Sequence, residues 1–174
     1  MRRIAVIGNG GGGKSTLCRA LGERLELPVY EVDAVQWLPG WRAAPLDETT
    51  RILESWAADD EWIIDGFGPF PVIERRLDRA DTIVYIDFPF VLHLWWSLKR
   101  QVGARVRGQA WAGQPRPPGD LRLFRTLRRV DAMRPRLREM VSRGDRAAKL
   151  IDLRSPSEMR RWLGSVGPRA VRSS

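Results

Sequence analysis

A glycine-rich run near the amino terminus, G-N-G-G-G-G-K-S at residues 8–15, constrains this chain more than any other feature. The run satisfies the pattern G-x-x-x-x-G-K-S. It lies between the apolar residues 4–7 and residues 14–25, whose apolar positions have helical spacing. Glycines let the backbone turn so that successive N–H groups point at phosphate oxygens, and the following helix adds its dipole. The sequence therefore predicts a strand, a phosphate-binding loop and a helix, in that order.

Side chains and backbone of this loop have separate expected roles in binding a nucleoside triphosphate. Lys14 is expected to bridge the β and γ phosphates, Ser15 to bind Mg²⁺ through its hydroxyl, and Thr16 to reach the α-phosphate. Backbone contacts are expected from the loop glycines, which are Gly8, Gly10, Gly11, Gly12 and Gly13. The loop thus predicts ATP and Mg²⁺ as cofactors and leaves a preference for ATP over GTP open.

Apolar runs that indicate strands alternate with helical periodicity along the chain. Predicted strands are residues 4–7, 29–32, 62–64, 82–86 and 148–153, and predicted helices are residues 14–25, 46–57, 72–79, 90–106, 121–141 and 157–163. Pro135 is expected to bend or split the helix over residues 121–141. This alternation predicts one three-layer α/β domain over residues 1–163 with a mostly parallel sheet. Residues 103–120, rich in glycine, proline and glutamine, are predicted to form a lid, and residues 164–174 a mobile tail.

The net charge of +9 comes from one segment of the chain. Residues 99–143 carry 13 Lys or Arg against three acidic residues, and the rest is close to neutral. Such a segment attracts polyanions, including nucleotides, phosphorylated substrates and nucleic acid. The longest apolar stretch, residues 88–98, is about half a membrane span and contains Pro89 and His93. With a single cysteine, Cys18, expected to be a small buried residue, we predict a cytoplasmic protein without a membrane segment.

Several classes of phosphate-loop protein fit this sequence poorly. ATPases that drive motion usually place Asp-Glu after an apolar strand, whereas here Asp65 is followed by Gly66. The base-reading N-K-x-D motif of GTPases is absent from the sequence. What remains is a compact kinase whose lid excludes water and supplies cations to the moving phosphoryl group, for which Arg100 and Arg105 are the best candidates.

Strings spread over almost the whole chain carry a family resemblance. Besides the loop, they are D-A-V-Q-W-L-P-G-W at residues 33–41, W-I-I-D-G at 62–66, R-L-D-R-A-D-T at 76–82 and L-R-S at 153–155. They resemble the adenylate-kinase-like and shikimate-kinase-like P-loop kinases, and are more closely similar to the bacterial family of DNA topology modulation proteins. That family often has histidine where Glu31 stands, and Asn-Tyr in place of Phe67-Gly68. Both positions would face the phosphoryl acceptor, so the resemblance does not name it.

The resemblance implies a five-stranded parallel sheet of order 2-3-1-4-5, with catalytic carboxylates at its edge. It implies that Asp33 takes a proton from the acceptor hydroxyl and that Glu31 supports Mg²⁺ through water. Asp65 ends the strand beside the first and is expected to face the Mg²⁺ site. A turn or cap is the alternative role for each of these acidic residues.

Further site residues follow from the same resemblance. Arg76 is expected to bind an anionic acceptor through its guanidinium fork, or else to pair with a neighbouring acidic residue. Trp37 is expected to stack on the acceptor or to pack its loop on the core. Arg154 and Ser155 follow the last strand, where related kinases contact adenine.

Three functions remain open from the sequence. The leading hypothesis is an Mg²⁺-dependent kinase that phosphorylates a nucleotide or another small molecule. The second is a nucleotide-gated regulator that binds nucleic acid through the basic segment, for which we expect only weak, non-specific affinity. The third is a simple nucleoside triphosphatase.

Overall fold

The computed structural model describes residues 1–39, 42–107 and 121–168, with residues 100–107, 121–123 and 126 described as backbone alone. The strands are β1 (Arg3–Gly8), β2 (Val29–Glu31), β3 (Trp37–Leu38), β4 (Arg42–Ala43), β5 (Trp62–Asp65), β6 (Thr82–Ile86) and β7 (Leu150–Leu153). The helices are α1 (Lys14–Leu25), α2 (Val32–Gln36), α3 (Leu46–Ala58), α4 (Phe70–Arg79), α5 (Phe90–Arg107), α6 (Leu121–Ala132), α7 (Arg134–Ser142) and α8 (Pro156–Ser165), with a 3₁₀ turn at Gly144–Lys149.

Five parallel strands form the central sheet in the order β2-β5-β1-β6-β7. Strands β3 and β4 form a separate antiparallel ribbon, which was not expected and which raises the numbers of the later strands by two. The observed strand numbers therefore differ from the expected 2-3-1-4-5. The predicted kind of fold, an α/β domain with a parallel five-stranded sheet, is confirmed. The carboxyl ends of all five strands lie at one edge, where ligands bind in open α/β sheets.

Alternating residues of β1 divide the core between the two faces of the sheet. Ala5 and Ile7 belong to a cluster that packs α3, α4 and α7 against one face. Ile4 and Val6 belong to a second cluster, which packs α1 and α8 against the other. Cys18 lies in this second cluster, and burial raises the pKa of its thiol well above the ordinary value. The three layers predicted from the sequence are therefore present.

Two boundaries differ from those expected. The second strand, expected over residues 29–32, stops at Glu31, so Asp33 lies in the first turn of α2. The final helix, expected to end at residue 163, runs to Ser165, and Val166 is buried in the core. The helical segment expected over residues 121–141, with a bend or a split at Pro135, is split into α6 and α7, because Pro135 occupies the first turn of α7, where a missing N–H costs nothing.

Of the expected lid, residues 103–107 continue α5 and residues 108–120 lie outside the described residues. Residues 169–174 of the expected tail also lie outside them. Within the described part of the chain, no helix combines the length and apolarity needed to cross a membrane.

Candidate functional site

The glycine-rich loop leaves β1 at Gly8 and enters α1 at Lys14. A β-carbon at Gly8 would lie 2.4 Å from the Ile86 carbonyl oxygen, so this position admits no side chain. Gly11 and Gly13 have φ angles of +77° and +78°, in the left-handed region that favours glycine. Within the described residues, no side chain caps the amino end of α1. Its first N–H groups are therefore open to an anion.

Lys14 extends over this loop. Its ammonium donates a hydrogen bond to the carbonyl oxygen of Asn9, with 3.0 Å between Nζ and O. The side chain is half-buried. The positive charge is thus held at the loop itself, where a phosphate bound by the backbone N–H groups would meet it.

Ser15 and Asp65 form the polar pair beside the loop. The Ser15 hydroxyl donates to Asp65 Oδ2 over 2.6 Å, and Asp65 is 5% exposed. Its other oxygen, Oδ1, is buried and has no hydrogen-bond partner among the described residues. Asp65 pairs with Val6 of β1 on one side and with Glu31 of β2 on the other. The two carboxylates thus end adjacent strands at one edge of the sheet.

This oxygen-rich pair fits Mg²⁺. The described residues contain no group of three or more His, Cys, Asp or Glu side chains that would hold a metal alone. Mg²⁺ rarely uses such a cage, since it keeps several waters and takes one or two protein oxygens plus the substrate's phosphates. A hydroxyl and a carboxylate with an orphaned buried oxygen are such a partial set.

Arg76 is buried near the end of β5, where its charge interacts with that of Asp65. Its side chain is 2% exposed, and Nη2 donates to the Gly66 carbonyl oxygen over 2.7 Å. Burial lowers the pKa of Arg76 to about 10, against the opposing charge of Asp65, so the guanidinium stays positive at neutral pH. This placement favours a positioning role for Arg76 over the acceptor contact expected from the sequence.

Replacing Arg76 should therefore cost stability. We expect Arg76→Leu to lower the free energy of unfolding by about 3 kcal/mol, because it removes a buried hydrogen bond and leaves Asp65 without its nearby cation. Arg75→Leu is the matched control, since Arg75 is exposed and pairs with Glu54 at the surface. Its loss should stay below about 1 kcal/mol. Urea denaturation of both variants measures the difference, and equal losses would contradict the role of Arg76.

A second group of charges, not recognised as a cluster from the sequence, lies directly after β6. Asp87 is 5% exposed and forms ion pairs with Arg134 and Arg138. Burial alone would raise the pKa of Asp87, but hydrogen bonds from the two guanidinium groups hold it below its ordinary value. Arg134, Asp87 and Asn9 line one small cavity beside the loop. The spacing of Arg134 and Arg138, one helical turn, was the available signal for this cluster.

Other predicted residues are distributed around this edge. Asp33 and Trp37 are half-buried at the start of α2 and in β3. Thr16 is exposed on α1. Ser155 caps α8 by accepting from the Glu158 N–H, and Arg154 pairs with Asp152 over 2.8 Å. The side chains of Arg100 and Arg105 lie outside the described residues.

Comparisons with solved structures show a fold similar to that of shikimate kinase. The chain is similar to shikimate kinase from Acinetobacter baumannii in complex with shikimate, with a TM-score of 0.63 and 17% identity over 94% of this chain and 89% of that one. Shikimate kinase from Aquifex aeolicus also matches, with a TM-score of 0.46, 18% identity and coverage of 82% and 99%. A gluconokinase from Sinorhizobium meliloti matches with a TM-score of 0.45, 19% identity and coverage of 79% and 94%.

Comparisons of the sequence, unlike those of the structure, give no match. No family model and no curated protein matches it. The expected membership of the DNA topology modulation family is therefore not supported, and the adenylate-kinase-like subtype is not confirmed. The similarity to the Acinetobacter enzyme shows a P-loop fold like that of shikimate kinase.

Proposed function

We propose that this chain is an Mg²⁺-dependent kinase that transfers the γ-phosphoryl group of ATP to a nucleotide or another small-molecule acceptor. The observation that carries the proposal is the hydrogen bond of Ser15 to Asp65 directly beside a loop that already holds the Lys14 ammonium. A hydroxyl, a carboxylate and an ammonium thus converge at the amino end of α1, which is the arrangement phosphoryl transfer from a triphosphate requires.

On the nucleotide side, the residues bind and orient. Glycine N–H groups of the loop and the Lys14 ammonium would hold the β and γ phosphates, and Ser15 and Asp65 would hold the metal, with Glu31 supporting it through water. Mg²⁺, when bound, neutralises charge on the phosphate oxygens. Arg154 and Ser155, at the start of α8, would contact the adenine.

On the acceptor side, Asp33 and Trp37 are the proposed residues. The acceptor oxygen would bond to the γ phosphorus while its proton passes to Asp33, and the bond from that phosphorus to the bridging oxygen would break as ADP leaves. Asp33 follows β2, at the edge of the sheet and one strand beyond Asp65. This separation leaves Asp65 to the nucleotide. The similar shikimate kinase was solved with shikimate, which supports a small-molecule acceptor.

The proposal is tested by a screen for phosphorylated products. Purified protein is incubated with Mg-ATP and pools of nucleotides and metabolites, and products are followed by ³¹P NMR and mass shift. We expect ADP and one new phosphorylated species to appear together in one pool, and neither to appear when EDTA removes Mg²⁺. Release of inorganic phosphate at the same rate in every pool would instead identify a simple triphosphatase.

A further inference from the structure

Hydrogen bonds with neighbouring side chains hold the two peptide groups that flank Gly10. The Gly10 N–H donates to the side-chain oxygen of Asn9 over 2.7 Å. The Gly10 carbonyl oxygen lies 3.0 Å from Nδ1 of His93, which must be the donor because a carbonyl only accepts. Asn9 in turn donates through Nδ2 to the Leu127 carbonyl, 3.2 Å away on α6. Both hydrogen-bonding groups of Gly10 are therefore used internally.

This arrangement determines where the next N–H points. The Gly10 carbonyl and the Gly11 N–H belong to one planar trans peptide group, so they point in opposite directions. Since His93 holds the carbonyl towards α5, the Gly11 N–H is directed away from that helix. The helix side is also closed sterically, because a β-carbon on Gly11 would lie 2.4 Å from Ser97 Oγ and 2.8 Å from the His93 carbonyl oxygen.

We propose that His93 is a positioning residue of the phosphate loop, which holds the Gly10–Gly11 peptide so that the Gly11 N–H is presented to a bound phosphate. The inference rests on the proposed function, since it requires that the loop binds phosphate. It assigns a role to a histidine that the apolar pattern of α5 presents as a packed residue.

The surroundings of His93 suit this task. The side chain is 1% exposed, and its ring stacks on Phe88 with 5.9 Å between the ring centroids. Burial lowers the pKa of His93, and the charges of Lys14 and Arg134 lower it further. The Gly10 carbonyl and Asp131 oppose this shift. A neutral imidazole carries one N–H, and the Gly10 carbonyl fixes it on Nδ1. The Nδ1–H group of the neutral ring therefore donates to the Gly10 carbonyl of the loop.

Three substitutions separate positioning from packing. His93→Asn keeps an N–H donor close to the position of Nδ1, because the amide nitrogen of asparagine is equally many bonds from Cα. His93→Gln keeps a polar side chain but places its donor one bond farther out. His93→Leu fills the site with an apolar group. Val91→Ala is the control on the same helix, because Val91 is 69% exposed.

The first measurement uses the nucleotide-free protein. The backbone ¹⁵N chemical shift of Gly11 responds to the hydrogen bond accepted by the preceding carbonyl. We expect this resonance to move in His93→Leu and His93→Gln and to stay near the wild-type position in His93→Asn and Val91→Ala. A Gly11 resonance unchanged in both His93→Leu and His93→Gln would overturn the inference without any statement about nucleotide binding.

The second measurement is Mg-ATP affinity by calorimetry. We expect about a tenfold weaker Kd for His93→Leu and His93→Gln, because a misaligned donor loses most of a charge-assisted hydrogen bond. His93→Asn should recover to within a few fold of wild type. Equal losses in all three folded His93 variants would overturn the positioning role. A wild-type protein that does not bind Mg-ATP while the Gly11 shifts behave as expected would contradict the proposed function and the presentation of the Gly11 N–H to phosphate, while the hold of His93 on the Gly10–Gly11 peptide would stand.

Discussion

A Lys14→Ala variant is expected to fold normally and to lose about a hundredfold in affinity for Mg-ATP. The Lys14 ammonium donates to the neutral Asn9 carbonyl within the loop, whereas a bound triphosphate would offer it hydrogen bonds to two negatively charged phosphates. Loss of the Asn9 contact should cost little stability, because the side chain is only half-buried. Binding should therefore suffer far more than folding.

The control for this prediction is Lys149→Ala. Lys149 pairs with Asp145 over 3.1 Å in the 3₁₀ turn before β7 and is remote from the loop. Calorimetric titration with Mg-ATP and thermal unfolding of both variants give affinity and stability together. Undiminished affinity in a folded Lys14→Ala protein would contradict the assignment of residues 8–15 as the phosphate loop.

The parts of the fold that the sequence predicted are those with local causes. The loop could be predicted because two of its positions require glycine. Gly8 lies too close to the Ile86 carbonyl for a side chain, and Gly11 has a positive φ. The sheet could be predicted because its strands are short apolar runs separated by segments with helical periodicity. By contrast, β3 and β4 have two residues each, too few to show an alternating pattern.

The less predictable parts of the site depend on contacts between distant positions. The hydrogen bond of His93 to Gly10 joins residues 83 apart, and the ion pair of Arg134 with Asp87 joins residues 47 apart. The burial of Arg76 follows from the packing of α4 against α3 and β1, and residue type does not predict it, because arginine is mostly exposed in proteins. Such placements arise from the tertiary packing, which residue type and local spacing do not reveal. The one-turn spacing of Arg134 and Arg138 was the exception, because it pointed to a cluster of charges although not to its partner.

Division of labour between Asp33 and Asp65 is the other large expected effect. We expect Asp33→Asn to lower phosphoryl transfer to a hydroxyl acceptor by about 10²- to 10⁴-fold, the usual contribution of a general base. Its Mg-ATP affinity should stay within a few fold of wild type, because Asp33 follows β2 while the loop leaves β1, two strands away. Asp47→Asn, an exposed aspartate in the first turn of α3, is the control and should behave as wild type.

Asp65→Asn should fail in a different way. Its Oδ2 accepts from Ser15 and its Oδ1 is the orphaned buried oxygen, so loss of the negative charge acts on the metal site. We expect a higher Mg²⁺ concentration for half-maximal rate together with a lower maximal rate. The asparagine keeps an acceptor for the Ser15 hydroxyl, so local structure should persist. Mg²⁺ titrations of both variants at saturating ATP distinguish the two roles.

The outcome for Asp33 also depends on the acceptor, and this makes the comparison informative. A nucleoside monophosphate presents an ionised phosphate and needs no base, so Asp33→Asn would then leave the maximal rate nearly unchanged. A hydroxyl acceptor must lose its proton, and the full rate loss would follow. Loss of Mg-ATP binding in Asp33→Asn would contradict both cases, because it would place Asp33 in the metal site with Asp65 and leave the acceptor side without its base.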